Sequence, residues 1–234
     1  MRRESGAKLP NHIAIIMDGS GRWADQHGVE VQEGHTKGAE NFREIAREVF
    51  KVGIPNLSIY AVSAENFERS QRELGHILKL IREAVTKEHL AEFQEAGIRI
   101  IWMGSEERLD QDTLEVLITA EVATKNNRKG VLVLYVNYNS DEENADAAKD
   151  LIVSGLDPDK VNAEVFNNAR YRSELSPVDF IVRTGGEQRL SGFPAGYAEL
   201  YFSDTLWPDF ASEDLHKALD EYARRKRSFG RRSA

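Results

Sequence analysis

Three short segments of this chain combine carboxylates, guanidinium groups and glycines at spacings suited to holding a phosphorylated anion. The first is Asp18, Gly19, Ser20, Gly21, Arg22 and Trp23, directly after the apolar run Ile13–Met17. Two glycines permit a tight turn. A helix starting near Ser20 would aim its free amides at an anion, and Arg22, one helical turn after Asp18, would add a guanidinium. Asp18 taken alone fits a helix cap better. The second segment holds Ser63, Glu65, Asn66, Phe67 and Arg69, which supply a hydroxyl, a carboxamide, an aromatic face and a cation. Such residues also serve simply to satisfy the amides of a turn. The third holds Arg183, Gly185, Gly186, Arg189 and Ser191, two arginines around a Gly-Gly turn, and predicts a clamp of guanidinium and amide donors. Arginines buried without an acidic partner are costly, so packing alone does not account for this pair. Glu199 opens a further apolar run with a carboxylate. Paired with Asp18, it would hold an Mg2+, which takes one or two carboxylates together with water and phosphate oxygens. The sum of these features is diphosphate chemistry.

Elements must bring these segments together. β-branched runs at Ile13–Met17, Leu57–Val62, Ile98–Met103, Val131–Val136, Phe180–Arg183 and Glu199–Phe202 alternate with amphipathic stretches. That alternation predicts an α/β fold with a mainly parallel central sheet flanked by helices. The three polar segments each follow a strand, the edge where ligands bind in such sheets. Ala39, Phe42, Ile45, Ala46, Val49 and Phe50 mark one helical face, ended by Lys51, Val52 and Gly53. Leu74, Ile77, Leu78, Ile81, Ala84 and Val85 mark a longer helix running toward Gly97. Both stripes fit ordinary core or the wall of a groove for a hydrocarbon ligand. Leu156–Lys160 and Ser173–Pro177 read as surface loops.

The 234 residues, 41% hydrophobic and 30% charged, suit a single domain over the whole chain, 1–234. No apolar run approaches the roughly 18 residues of a membrane span, and the Met1, Arg2, Arg3 start lacks the apolar stretch of a signal peptide. The expected location is the cytoplasm. Without cysteine there is no thiolate nucleophile or thiolate metal site. A net charge of -8 argues against nucleic acid as a partner. The one basic concentration, a tail from about Arg224 with Arg225, Lys226, Arg227, Arg231 and Arg232, reads as the cationic end of a helix. A nucleotide-binding module is not supported, since neither a Gly-x-x-x-x-Gly-Lys loop nor a Gly-x-Gly-x-x-Gly turn is present.

In this order the segments resemble the cis-prenyltransferases, the family of undecaprenyl diphosphate synthase. The resemblance runs from about His12 to Phe210 and adds Gly34 with His35, Arg69 with Glu73, and Leu206, Trp207, Pro208, Asp209 and Phe210. It implies an α/β domain with a hydrophobic tunnel between sheet and helices, acting as a homodimer on isoprenoid diphosphates with Mg2+. By the same resemblance, Asp18 and Glu199 manage metal and diphosphates, and Arg22 and His35 serve the allylic donor. Arg183, Arg189 and Ser191 hold the acceptor, and Ser63 and Asn66 lie near the reacting carbons. The paired Asp-Asp-x-x-Asp motifs of trans-prenyl synthases are missing.

The departures from the family pattern concentrate on the donor side. Ser20 replaces the usual asparagine of the phosphate turn, and Val31 stands where the regular family carries a second donor-site arginine. Asn139, Ser140 and Asp141 replace a Gly-Gly-Arg, and the loop from Phe193 to Glu199 is about three residues short. A small branch of the family, the cyclolavandulyl and isosesquilavandulyl diphosphate synthases, is similarly relaxed and couples two allylic diphosphates head-to-middle. The expectation is therefore a branched product of ten or fifteen carbons. Head-to-tail elongation with isopentenyl diphosphate is the alternative. A non-catalytic partner subunit is disfavoured, because Asp18, Arg22, Arg183, Arg189 and Glu199 are all retained.

Overall fold

The computed structural model describes residues 8–226. Its frame is a six-stranded sheet in the order β3-β4-β2-β1-β5-β6, parallel at every pairing. The strands are β1 (His12–Ile16), β2 (Asn56–Ser63), β3 (Ile98–Met103), β4 (Gly130–Tyr138), β5 (Phe180–Arg183) and β6 (Glu199–Phe202). All six match the runs expected from sequence to within two residues. Burial on both faces explains the near-continuous apolar character of β1 to β5, whereas the edge strand β6 is only half-buried. Ile13 and Ile15 of β1 enter one core, with Leu132 and Leu134 of β4. Ala14 and Ile16 enter the other, with Val133 and Tyr135.

The first core is covered by α2 (Val31–Lys51), α3 (Gln71–Ala84), α4 (Lys87–Ala96), α5 (Gln111–Thr124) and α8 (Ser212–Arg224). As the lysine-valine-glycine sequence predicts, α2 ends at Val52. The longer helix expected toward Gly97 is two helices. The backbone leaves helical geometry at Val85 and restarts after the cap Thr86. The remaining helices are α1 (Ser20–His27), α6 (Ser140–Val153) and α7 (Ala163–Ala169). Residues 158–160 form one turn of 3-10 helix within the expected loop. No helix among the described residues is long and apolar enough to cross a membrane. Of the basic tail, Arg224 ends α8 and Arg225 follows it, whereas Arg227, Arg231 and Arg232 lie outside the described residues.

The chain leaves β1 toward β2 on one side and β5 toward β6 on the other, so the crevice between the carboxyl ends of β1 and β5 is a topological switch point. Asp18 and Arg183 emerge there.

Candidate active site

Asp18 is locked in place before any ligand arrives. Its amide donates to Thr184 Oγ1 at 2.9 Å, and the same hydroxyl donates to the Asp18 carbonyl at 2.7 Å. The cap of α1 is Gly19, not Asp18, so the helix-cap role drops out. The Asp18 carboxylate faces two guanidinium groups instead, with Oδ1 3.0 Å from Arg22 Nη2 and Oδ2 2.6 Å from Arg183 Nη2. Arg183 is 4% exposed, and it also donates to Ser191 Oγ at 2.9 Å and to the Arg189 carbonyl. The acidic partner that seemed missing is therefore Asp18, from a strand 165 residues away.

Gly185 sits at φ 84°, and a Cβ there would lie 2.7 Å from Arg22 Nη2 and 2.9 Å from the Asp18 carbonyl oxygen. Only glycine fits so close an approach. The amides of the Gly-Gly turn are not free, however. Gly185 donates to Thr205 and Gly186 to Ser203. The clamp thus consists of side chains, and its amide donors come from the other wall, where α1 begins with no side-chain cap.

That α1 terminus is pressed onto α2. A Cβ at Gly34 would stand 2.2 Å from the Ser20 carbonyl oxygen, and one at Gly38 would stand 3.0 Å from Ser20 Oγ. Trp207 Nε1 donates to the Gly38 carbonyl at 2.8 Å, and Asn41 holds the Trp207 and Phe210 carbonyls. The Leu206–Phe210 segment is therefore the buttress behind the turn. Val31, at the start of α2, packs against Gly21, with its Cγ2 3.8 Å from the position of a Cβ there.

A cavity of about 750 Å³ joins these parts. Its polar end is lined by Asp18, Gly19, Ser20, Gly21, Arg22, His35, Ser63, Asn66, Arg69, Arg183, Arg189 and Ser191. Its apolar end reaches between sheet and helices to Phe42, Ile77, Ile81 and Ala84, with Leu80, which the helical stripe omitted. The stripes thus serve both purposes: Ala39 and Phe42 line the cavity, while Ile45, Ala46 and Val49 are core.

On the α3 side, Glu73 accepts from Arg69 at 2.9 Å and bonds His35 Nε2 at 3.0 Å. Burial pushes the His35 pKa below 6.5, against the opposing pull of Glu73. The imidazole is neutral at pH 7. Ser63 and Asn66 cap the short turn at Ala64–Glu68, where Asn66 Oδ1 accepts from the Ser63 amide at 3.2 Å. A register shift in β2 before Ser63 turns this end of the strand into the cavity. Burial opposes ionisation of Glu65, but hydrogen bonds with Ser63 and from Asn139 hold its carboxyl below the usual range.

Three expected residues fall elsewhere. Trp23 is absent from the cavity lining: it stacks on His27 and donates to Asp209 Oδ1 at 2.9 Å, bracing the buttress. Phe67 is likewise absent and lies beneath the Arg108 guanidinium, 5.6 Å away. Glu199 does not meet Asp18. The parallel register sets it level with Phe180 and Ile13, at the amino ends of the strands, about 16 Å from Asp18 along the strand direction. There it pairs with Arg225 at 3.1 Å. Among the described residues no three metal-ligating side chains cluster. Asp18 fits an Mg2+ as a single protein ligand, completed by diphosphate oxygens and water; the pair with Glu199 within one chain does not. The sequence assigns no role to Thr184, Trp207 or Asn41, because their partners are about 166 residues away.

A buried arginine-aspartate clamp facing an uncapped helix terminus, at the switch point of a parallel sheet and over an apolar tunnel, defines a site for a phosphorylated hydrocarbon. The family model described as putative undecaprenyl diphosphate synthase matches residues 16–230. An isoprenyl transferase of Zymomonas mobilis is 39% identical over 97% of this chain and 94% of its own. The trans,polycis-polyprenyl diphosphate synthase, (2Z,6E)-farnesyl diphosphate specific, of Thermobifida fusca is 38% identical over 95% and 81%. Among solved structures, lavandulyl diphosphate synthase from Lavandula x intermedia, in complex with dimethylallyl diphosphate, superposes with a TM-score of 0.89 at 32% identity, covering 95% of this chain and 98% of that one. A probable undecaprenyl diphosphate synthase from Campylobacter jejuni gives 0.78 at 28%, covering 96% and 99%. The chain belongs to the undecaprenyl diphosphate synthase family of cis-prenyltransferases, and it is a prenyl diphosphate synthase by family.

Proposed function

We infer that this enzyme couples two allylic diphosphates head-to-middle and releases a branched product of ten or fifteen carbons. The observation that carries this reading is Val31 packed against Gly21. An apolar side chain stands at the phosphate turn where the regular family places a cation, so the donor wall relies on α1 amides and Arg22. The TM-score of 0.89 to lavandulyl diphosphate synthase supports it. Head-to-tail elongation with isopentenyl diphosphate is the second reading, favoured by the 38–39% identical isoprenyl and polyprenyl transferases.

In the proposed reaction the donor's C1–O bond breaks and diphosphate departs. The acceptor's double bond attacks C1, and a carbon-bound proton is lost to restore a double bond. The α1 amides and the Arg22 guanidinium stabilise the charge that grows on the leaving group. Arg183, held by Asp18 and joined by Arg189 and Ser191, fixes the acceptor diphosphate and so sets which carbons meet. Neutral His35 donates its one N–H to the Glu73 carboxylate, and so holds Glu73 and its partner Arg69 at the donor end of the cavity. Ser63 and Asn66 face the reacting carbons, while Ile77, Leu80 and Ile81 keep water from the cationic carbon. Asp18 would hold an Mg2+, which would supply further charge neutralisation on the diphosphates. Diphosphate release from dimethylallyl diphosphate and Mg2+ alone tests the reading: turnover is expected without isopentenyl diphosphate, and a strict requirement for it overturns head-to-middle coupling.

The cytoplasm and a homodimer are proposed on the family resemblance, and no step above depends on either.

A further inference from the structure

Tyr60 stands on β2 with its ring in the second core, 5.4 Å from Phe193 and 6.2 Å from both Tyr135 and Tyr138. A phenylalanine would fill that space, so the hydroxyl is the part that packing does not require. The residue also lines the reaction cavity. There its hydroxyl donates to the Tyr138 carbonyl at 2.9 Å and to the Ser191 carbonyl at 3.0 Å, one proton shared between two acceptors. Burial pushes the phenol pKa above its usual value, which keeps the group a donor.

Ser191 needs a fixed backbone. Its φ of 48° is left-handed, a conformation that a residue with a Cβ keeps only where its surroundings hold it. In that conformation its Oγ accepts from Arg183 Nη1 at 2.9 Å. The segment is tied down by the Tyr60 hydroxyl on the Ser191 carbonyl, the Ser140 amide on the Gly192 carbonyl at 3.0 Å and the Phe193 amide on the Leu190 carbonyl at 3.0 Å. Of these three, only the first bonds Ser191 itself. Because the same hydroxyl also bonds the last residue of β4, it ties the segment to the sheet.

We propose that Tyr60 is a positioning residue for prenyl transfer: its hydroxyl, anchored on β4, holds Ser191 in the left-handed conformation that presents the serine hydroxyl to Arg183, and so shapes the clamp for the acceptor diphosphate. The inference rests on the reading of Arg183, Arg189 and Ser191 as the acceptor clamp, and it holds for either regiochemistry. Tyr60 acts through Ser191, not on the reacting carbons.

Calorimetric titration with dimethylallyl thiodiphosphate, with Mg2+ and saturating geranyl thiodiphosphate filling the donor wall, reads the clamp. Titration with geranyl thiodiphosphate alone reads the donor wall. In Tyr60→Phe the clamp Kd should rise about tenfold, the scale of one lost hydrogen bond, while the donor Kd moves by no more than about twofold. A tyrosine that only packed the core would lower the melting temperature and move both affinities together or neither. In Tyr60→Phe/Ser191→Ala the clamp Kd should equal that of Ser191→Ala, because both substitutions remove the same contact. An unchanged clamp Kd in Tyr60→Phe beside a raised one in Ser191→Ala, an equal rise at both walls, or additive effects in the double variant overturns the role of Tyr60 alone. An unchanged clamp Kd in Ser191→Ala overturns the clamp reading, and the inference with it. If Tyr60→Phe does not fold, crystal structures of the unmodified enzyme with and without dimethylallyl thiodiphosphate decide. Ser191 is expected to keep its positive φ and its bond to Tyr60 in both, and a segment that rearranges with that bond broken contradicts the proposal.

Discussion

The two walls proposed to bind anions in the cavity are built differently. On the β5 side, Arg183 is almost fully buried, and Asp18, Ser191 and a backbone carbonyl fix its guanidinium. On the α1 side, the helix begins with free backbone amides, Arg22 bonds Asp18 and the Gly185 carbonyl but is 44% exposed, and Val31 Cγ2 lies 3.8 Å from where a Gly21 Cβ would stand. In the proposed reaction the fixed wall predetermines where one diphosphate sits. In the proposed reaction the α1 wall offers helix-terminus dipoles and a more exposed cation to hold the leaving group. Pre-organised donors lose little freedom when charge develops, and the more exposed of the two arginines is the more strongly screened by water.

Breaking the fixed wall should have the largest effect. In Asp18→Ala, Arg183 loses its counter-ion inside the protein. Removal of one partner of a buried pair costs about 3 kcal/mol, readable by urea denaturation. Steady-state kcat should fall about 10²- to 10³-fold through the misplaced donor. An Asp18→Ala enzyme with full turnover would show that Asp18 does not organise the clamp.

Next in size, Gly34→Val would drive a side chain into the Ser20 carbonyl and displace the α1 terminus from α2. Overpacking of this kind costs about 1–3 kcal/mol. Because the displaced element carries the donor amides, the KM for the allylic donor should rise together with the loss in melting temperature.

Sharpening the comparison, Val31→Arg adds a charged donor beside Gly21. A hydrogen bond to a charged group contributes about 1.5–3 kcal/mol, so the Kd of an allylic thiodiphosphate should fall roughly tenfold or more, while acceptor affinity stays level. An equal gain at both sites would erase the distinction between the walls.

The smallest effect is on stability against pH. Burial lowers the pKa of both His12 and His35 in the folded chain. The unfolded chain therefore binds more protons as pH drops past about 6.5, and stability decreases in that direction. Denaturation midpoints should fall between pH 7.5 and 5.5, and His35→Gln should flatten part of that slope.

The strands were legible because burial on both faces imposes β-branched runs, and the segments following them gave most of the site. What escaped detection was non-local. The Asp18–Arg183 pairing depends on β1 and β5 being neighbours. Glu199 was read correctly as the start of a strand, yet its distance from Asp18 follows from the β5–β6 register, which no local pattern encodes. Trp23 and Phe67 sit beside cavity residues in sequence but project onto Asp209 and Arg108. The break between α3 and α4 falls within a continuous apolar stripe. Its local signal is Thr86, a capping residue type just ahead of α4.

The most direct test of head-to-middle coupling is the identity of the product formed from dimethylallyl diphosphate and Mg2+ alone, dephosphorylated and analysed by mass spectrometry and NMR. The account predicts a ten-carbon branched alcohol made without isopentenyl diphosphate. A linear cis-prenyl alcohol, formed only when isopentenyl diphosphate is supplied, would contradict it.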